Sequence, residues 1–115
     1  AYAAHMAALL GAHIIKVKPP TGAISLDAAK KTYDASPVED DAAKRIAHVV
    51  KACFNGRRLV VFSGGEAKGA DALLGEARAI HAGGGNGSIV GRNAFQRPRD
   101  EALKLLADMV NVYRS

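Results

Sequence analysis

The sequence predicts an α/β fold built on a parallel sheet. Short apolar runs alternate with longer segments of helical periodicity, and the connections between the runs are long enough for helical crossovers. The runs at 13–18 and 59–63 place Ile and Val at consecutive positions, as in strands that helices cover on both faces. The chain has 115 residues, which is enough for one small domain over residues 1–115.

The first half of the chain is predicted to contain one strand and three helices. They lie at 2–10 (helix), 13–18 (strand), 26–33 (helix) and 40–54 (helix). Gly11 ends the first helix as a C-terminal cap, and Pro19 ends the strand because proline cannot donate to a ladder of hydrogen bonds. The alanine-rich first helix is expected to carry Met6, Leu9 and Leu10 on one side.

The second half is predicted to alternate strand and helix twice. The elements lie at 59–63 (strand), 70–81 (helix), 88–90 (strand) and from 97 onward (helix). The glycine-rich run at 83–87 is interpreted as a flexible linker. The last helix is expected to bury one apolar stripe, made of Ala102, Leu105, Leu106, Met109 and Val110.

Charge and composition exclude some classes of function. The net charge of +5 comes from 16 Lys and Arg against 11 Asp and Glu, which suits a site for anionic small molecules. The basic residues are scattered without interleaved aromatics, so a nucleic-acid partner is not expected. Cys53 is the only cysteine and lies in a helical apolar pattern, which favours a structural role. No apolar run approaches the roughly 18 residues of a membrane span, so we expect a soluble, cytoplasmic protein.

The first predicted strand carries two lysines in an unusual place. Side chains alternate along a strand, so Lys16 and Lys18 share a face with Ile14. Two ammonium groups on one face of a buried strand are costly unless they line a cavity or its mouth. A lysine amine in such a cavity can attack a ketone carbonyl to form a Schiff base. The alternative is that both lysines emerge at the strand end into water.

Glycine-rich turns follow the second and third predicted strands. Gly64 and Gly65 let backbone N–H groups approach an anion closely, and Arg92 after Gly91 supplies a cation. Because the carboxyl ends of parallel strands meet at one edge, both turns are expected beside Lys16 and to form a phosphate site. The alternative for the first turn is a tight strand-to-loop connection. Neither turn fits the common nucleotide-binding motifs. The histidines fall in different elements, so no metal site is expected.

Three motifs, taken together, resemble a known family. They are G-A-H-I-I-K-V-K at 11–18, F-S-G-G at 62–65 and I-V-G-R-N-A-F-Q-R at 89–97. In this order and spacing they resemble the archaeal-type class I fructose-bisphosphate aldolases, a family that also occurs in many bacteria. The resemblance implies a (β/α)8 TIM barrel, of which this chain would supply strands six to eight and their helices. Because such a barrel typically has about 250 residues, we expect the chain to be the C-terminal portion of an aldolase.

The resemblance also implies roles for individual residues. Lys16 would form the Schiff base with a phosphorylated sugar, and no metal or other cofactor would be needed. The substrate phosphate would be bound by Ser63, Gly64, Gly65, Gly91 and Arg92. Lys18 and Lys68 are candidates for a supporting positive field. The tyrosine that transfers a proton in this family lies on strand five, which this chain lacks.

The implied reaction is the reversible cleavage of fructose 1,6-bisphosphate into dihydroxyacetone phosphate and glyceraldehyde 3-phosphate, in glycolysis and gluconeogenesis. A homo-oligomer is implied by resemblance, and the remaining barrel strands are the expected partner within the same protein. The chain alone is expected to be inactive and to associate through its open sheet edges. Two alternatives stay open: a related Schiff-base enzyme acting on another phosphorylated ketose or acyl substrate, and a non-catalytic half-barrel that binds anions.

Overall fold

The computed structural model describes residues 1–35, 41–64 and 66–115. The elements of this part of the chain follow one another as α1 (Tyr2–Leu9), β1 (Ile14–Val17), α2 (Asp27–Ala35), α3 (Ala42–Ala52), β2 (Leu59–Ser63), α4 (Ala70–Ala82), β3 (Gly87–Ile89), α5 (Arg92–Phe95) and α6 (Arg99–Arg114). The predicted alternation of strands and helices is confirmed. The predicted start of the third helix at residue 40 lies outside the described residues, and Asp41 caps the helix.

The described strands form one sheet in the order β1-β2-β3, and both pairs are parallel. Lys16 on β1 lies opposite Val61 on β2. Ser63 at the end of β2 lies opposite Ile89 at the end of β3. The carboxyl ends of the strands therefore meet at one edge of the sheet, as the sequence predicts.

The two faces of the sheet have opposite environments. Ile15, Val60 and Phe62 are almost fully buried beneath the helices. On the other face, Ile14 is 63% exposed and Leu59 is 50% exposed. The expectation that helices cover both faces of these strands is therefore wrong for the described structure. Alternation places Ile14, Lys16 and Leu59 on the face that would point into a barrel, where no described helix packs.

Helix α1 packs through its alanines rather than its larger side chains. Ala4 and Ala8 are 2% and 1% exposed, and α1 contacts α3 and β1. Met6, Leu9 and Leu10 are exposed, so the helix does not pack through its larger apolar side chains. The small alanine side chains let the helix approach its neighbours closely, and a face of larger side chains could not sit at that distance.

Helices α4 and α6 form a second apolar cluster with each other. Its buried members are Leu73, Ala77, Leu105 and Met109. Within the predicted stripe of α6, Leu106 and Val110 are instead 41% and 49% exposed. The helix buries a narrower stripe than predicted because α4 covers only one side of it. Cys53 is fully buried, as predicted, and burial raises the pKa of its thiol.

The glycine-rich segment after α4 is closely packed, not a flexible linker. The N–H of Gly85 donates to the carbonyl of Ile80 at 2.8 Å. The side-chain oxygen of Asn86 accepts from the N–H of Val60 at 2.8 Å, and the N–H of Asn86 donates to the carbonyl of Val60 at 2.8 Å. A Cβ added at Gly85 would lie 2.6 Å from Ile80 Cγ2 and 2.8 Å from Phe62 Cε2. Close packing against the core explains why glycine is present here.

Candidate functional site

A cavity of about 270 Å³ opens at the carboxyl edge of the sheet. It is bordered by the ends of all three strands and by the segments that follow β2 and β3. The sequence-predicted residues among its lining are Lys16, Ser63, Gly64, Gly91 and Arg92. The structure therefore brings the candidate amine and both candidate anion-binding turns to one cavity. Gly65 lies outside the described residues.

Strand β1 fixes where the lysine amine can reach. Ile15 is 3% exposed and anchors the strand in the core on its covered face. Lys16 is therefore held on the opposite, open face and lines the cavity. Lys18 follows the end of β1 and is exposed, and it is not among the cavity-lining residues. Of the two lysines that the sequence places on one face, only Lys16 therefore lines the cavity together with the candidate anion-binding turns.

The segment after β3 begins a short helix that the sequence did not predict. Gly91 is the N-cap of α5, and Arg92 is its first residue. The first turn of a helix leaves backbone N–H groups without intrahelical partners, and these can donate to an anion. Four residues are too few for helical periodicity to be recognised in a sequence, which explains why α5 was missed.

Asn93 is a site residue that the sequence analysis did not single out. It is 7% exposed, and it is the one buried polar side chain among the described residues. Its Oδ1 accepts from the N–H of Lys68 at 2.7 Å, and its Nδ2 donates to the carbonyl of Glu66 at 3.1 Å. Asn93 thus ties the segment after β2 to the first turn of α5. Its partners lie 25 and 27 residues away in the chain, so only the folded structure reveals the role.

Arg97 completes this connection from the far end of α5. Its Nε donates to the carbonyl of Asn93 at 2.6 Å, and its Nη2 donates to the carbonyl of Lys68. The sequence predicts Arg97 only as the start of the last helix. In the structure that helix begins at Arg99, with Pro98 as its N-cap.

Lys68 pairs with a carboxylate that lines the cavity. Its Nζ lies 2.5 Å from Oε2 of Glu76, and the two side chains are 36% and 19% exposed. Glu76 comes from α4 and lies close to Gly64, since a Cβ added there would be 3.5 Å from its Oε1. Lys68 itself is not among the cavity-lining residues. Its charge offsets a carboxylate that would otherwise repel an anion at Gly64.

A second groove lies between the connection after β1 and helix α3. It has a volume of about 610 Å³, and none of the predicted site residues lines it. Inside it, the hydroxyl of Tyr33 and Nε2 of His48 are 2.6 Å apart. Burial, together with the charge of Lys51, lowers the pKa of His48. This pair links α2 to α3 and is separate from the cavity with the lysine.

Two further findings concern membrane-spanning helices and metal ligands. No helix within the described residues has the length and apolar character needed to cross a bilayer. The described residues also bring no three metal-ligating side chains together.

Comparison with known proteins gives consistent matches. Residues 1–97 match the family model of DeoC/LacD family aldolases. A probable class 1 fructose-bisphosphate aldolase of Chlamydia muridarum (strain MoPn / Nigg) is 32% identical over 121 residues, which cover 95% of this chain and 34% of the relative. The protein of the same name in Chlamydia trachomatis serovar D is 32% identical over 120 residues, covering 95% of this chain and 33% of the relative. The chain thus spans about a third of the length of these curated relatives.

A solved structure also matches this chain over nearly its whole length. The crystal structure of an archaeal fructose 1,6-bisphosphate aldolase superposes with a TM-score of 0.70 and 26% sequence identity. The match covers 99% of this chain and 36% of the archaeal chain, so the parallel sheet and its helices correspond to part of a TIM barrel. The resemblance inferred from the three motifs is therefore confirmed, and the chain belongs to the DeoC/LacD family of aldolases.

Proposed function

We propose that this chain provides the amine and the phosphate-binding turns of a class I fructose-bisphosphate aldolase. The observation that supports the proposal is that Lys16 lines the same cavity as Ser63, Gly64, Gly91 and Arg92. One end of a phosphorylated ketose can thus be held while its carbonyl meets the lysine. Residues 1–115 would act as the C-terminal part of one barrel domain.

The proposed chemistry follows from the reactivity of a lysine amine. The unprotonated Nζ of Lys16 attacks the ketone carbonyl of fructose 1,6-bisphosphate, and loss of water gives an iminium ion. The iminium withdraws the electron pair of the adjacent carbon–carbon bond as that bond breaks and the neighbouring hydroxyl loses its proton. Glyceraldehyde 3-phosphate leaves, and the enamine on Lys16 is protonated and hydrolysed to dihydroxyacetone phosphate. The lysine is the electron sink, so the proposed route requires no metal.

The phosphate-binding turns supply the binding energy that positions the carbonyl. Backbone N–H groups at Gly64 and Gly91 donate to the phosphate oxygens, and the Arg92 guanidinium adds positive charge. This agrees with the tendency of barrel enzymes to bind phosphate after strands seven and eight, beside a short extra helix. We further propose that the remaining strands of the barrel cover the open sheet face and carry the proton-transferring group, and that the complete enzyme is a homo-oligomer.

The proposal is tested by reducing the imine to a stable adduct. The full-length protein is incubated with dihydroxyacetone phosphate and borohydride, and the added mass is located by peptide mass spectrometry. We expect an adduct in the wild-type protein and none after Lys16→Met. Lys51→Met is the control, since Lys51 is exposed on α3 and remote from the cavity lining. Retained trapping in Lys16→Met would overturn the assignment.

A second candidate is a Schiff-base aldolase acting on another phosphorylated ketose. The family model that matches describes DeoC/LacD aldolases, a wider group than the fructose-bisphosphate aldolases named among the relatives. This difference favours the second candidate. Cleavage rates measured for a panel of ketose phosphates separate the two candidates. The fructose-bisphosphate proposal predicts the highest kcat/KM for fructose 1,6-bisphosphate, and a higher value for another ketose would favour the alternative.

A further inference from the structure

We infer that Asn93 and Arg97 are positioning residues that hold the two phosphate-binding turns together. We call this pair the clamp. The inference rests on the proposed function, because it assigns the clamp to the phosphate end of the substrate. It concerns side chains whose described hydrogen bonds go to backbone groups of the protein.

The sheet cannot position the turns by itself. The pairing of β2 with β3 extends from Val61 and Gly87 to Ser63 and Ile89, and it ends there. The segments that carry Gly64 and Gly91 lie beyond the last paired residues, where the ladder no longer fixes their separation. An anion held by both segments needs their N–H groups within hydrogen-bond distance of the same oxygen atoms.

The clamp supplies the missing connection. The Asn93 side chain accepts from the backbone N–H of Lys68 at 2.7 Å and donates to the carbonyl of Glu66 at 3.1 Å. The oxygen and the nitrogen of this buried amide therefore both form hydrogen bonds with one segment of the loop after β2. Because α5 begins at Arg92, any shift of this loop would be transmitted to the turn at Gly91.

Arg97 holds the same loop segment through a separate hydrogen bond. Its guanidinium donates to the carbonyl of Lys68 through Nη2 and to the carbonyl of Asn93 through Nε. Lys68 is thus held at its N–H by Asn93, at its carbonyl by Arg97 and at its ammonium by Glu76. The loop after β2 is thus fixed at Lys68, on the chain segment that follows the cavity-lining Gly64.

The clamp therefore acts on phosphate recognition and leaves the chemistry at the amine unaffected. Lys16 lies on β1 and is fixed by the sheet, without a described hydrogen bond to either clamp residue. Loosening the clamp is expected to weaken binding of a phosphorylated ketone. It is not expected to change imine formation with a ketone that has no phosphate group. A purely structural role would weaken both.

The experiment compares clamp variants of the full-length protein with the wild type. Affinity for inorganic phosphate is measured by calorimetry, and imine formation is followed by borohydride trapping with dihydroxyacetone phosphate and with dihydroxyacetone. For Arg97→Ala and Asn93→Ala we expect phosphate affinity and the apparent affinity for dihydroxyacetone phosphate to fall about tenfold, because a displaced turn loses about one backbone N–H bond to the charged ligand. Trapping of dihydroxyacetone should stay within about twofold of the wild type.

A conservative variant, a control variant and a double variant test whether the loss of affinity is specific to the clamp. Arg97→Lys keeps the positive charge but replaces the two separate donor nitrogens of the guanidinium with one ammonium, so we expect it to retain part of the phosphate affinity. Arg99→Ala is the control, because Arg99 is exposed and begins α6 just beyond the clamp. The double variant Asn93→Ala/Arg97→Ala should lose little more affinity than the worse single variant, since both residues act through one loop segment.

The possible outcomes separate the inference from the proposed function. Unchanged phosphate affinity in a folded clamp variant would overturn the inference, and so would an equal loss with both ketones. If Asn93→Ala does not fold, Arg97→Ala decides, since Arg97 is only partly buried. A wild-type protein that binds phosphate but traps neither ketone would refute the proposed function, and the calorimetric comparison would still test the clamp.

Discussion

Lys16 and Asn93 show how single residues acquire a role from their surroundings. Lys16 reaches the cavity because its strand neighbour Ile15 is buried on the opposite face, which fixes the direction of the lysine. The cost of burying Asn93 is offset because both ends of its amide have backbone partners. The first role follows from strand alternation and could be predicted. The second depends on contacts between residues far apart in the chain and could not.

Gly85 tests the packing of the segment before β3. Gly85→Ala would place a Cβ 2.6 Å from Ile80 Cγ2 and 2.8 Å from the Phe62 ring, so the core must shift. We expect the free energy of unfolding, measured by urea denaturation, to fall by about 1–3 kcal/mol.

Gly75→Ala is the matched control for this substitution. Gly75 lies inside α4, and nothing lies within 4 Å of a Cβ added there. We expect a gain of up to about 1 kcal/mol, since alanine is the better helix former. Equal losses at Gly75 and Gly85 would contradict the packing described for the glycine-rich segment.

At the scale of elements, helix α1 shows that residue size decides which face is buried. Ala8→Leu introduces a larger side chain where the residue is 1% exposed, and we expect a loss of about 1–3 kcal/mol. Leu10→Gln changes a residue that is 90% exposed and should alter stability by less than about 0.5 kcal/mol. Thermal or urea unfolding of both variants checks this. A larger loss for Leu10→Gln would show that the leucine face is the packed one.

Helices α2 and α3 are joined by the contact between the Tyr33 hydroxyl and Nε2 of His48, which are 2.6 Å apart. Burial, with a smaller contribution from Lys51, lowers the pKa of His48 below its ordinary value of 6.5. The unfolded chain then binds the proton more readily, so the stability contributed by neutral His48 is complete above pH 6.5. It decreases as the pH falls through the lower folded value. His48→Gln should flatten this part of the stability profile, and an unchanged profile would contradict the assignment.

The element boundaries show where sequence periodicity stops being informative. Strands and long helices were predicted because their apolar residues repeat at a fixed spacing. Helix α5 was not, because four residues give no period, although it carries Gly91 and Arg92 into the site. The convergence of β1, β2 and β3 at one edge could be predicted, because parallel strands admit no other arrangement of their ends.

At the scale of the whole molecule, the open sheet face is the main departure from the prediction. Consecutive apolar residues in a strand indicate that both faces are buried, but they do not say what buries them. Here the described helices cover one face only, and Ile14 and Leu59 stay exposed on the other. The match to about a third of longer aldolases explains the pattern, because this face would point into the barrel.

The open face predicts the behaviour of these residues as an isolated polypeptide. We expect the chain of 115 residues to self-associate at micromolar concentration, because an apolar sheet face and unpaired strand edges favour pairing. The double variant Ile14→Thr/Leu59→Thr should shift the equilibrium toward monomer in sedimentation analysis. Threonine preserves the preference for strand, so secondary structure should remain. Association unaffected by the substitutions would place the interface elsewhere.

The central claim is that one molecule is held by its phosphate while its carbonyl reacts with Lys16. The most direct measurement is borohydride trapping of dihydroxyacetone phosphate on the full-length protein, with and without inorganic phosphate, read by peptide mass spectrometry. We predict an adduct on the peptide that contains Lys16, and a decrease in its yield as phosphate competes for the turns at Gly64 and Gly91. An adduct on another lysine, or a yield that phosphate does not change, would contradict the account.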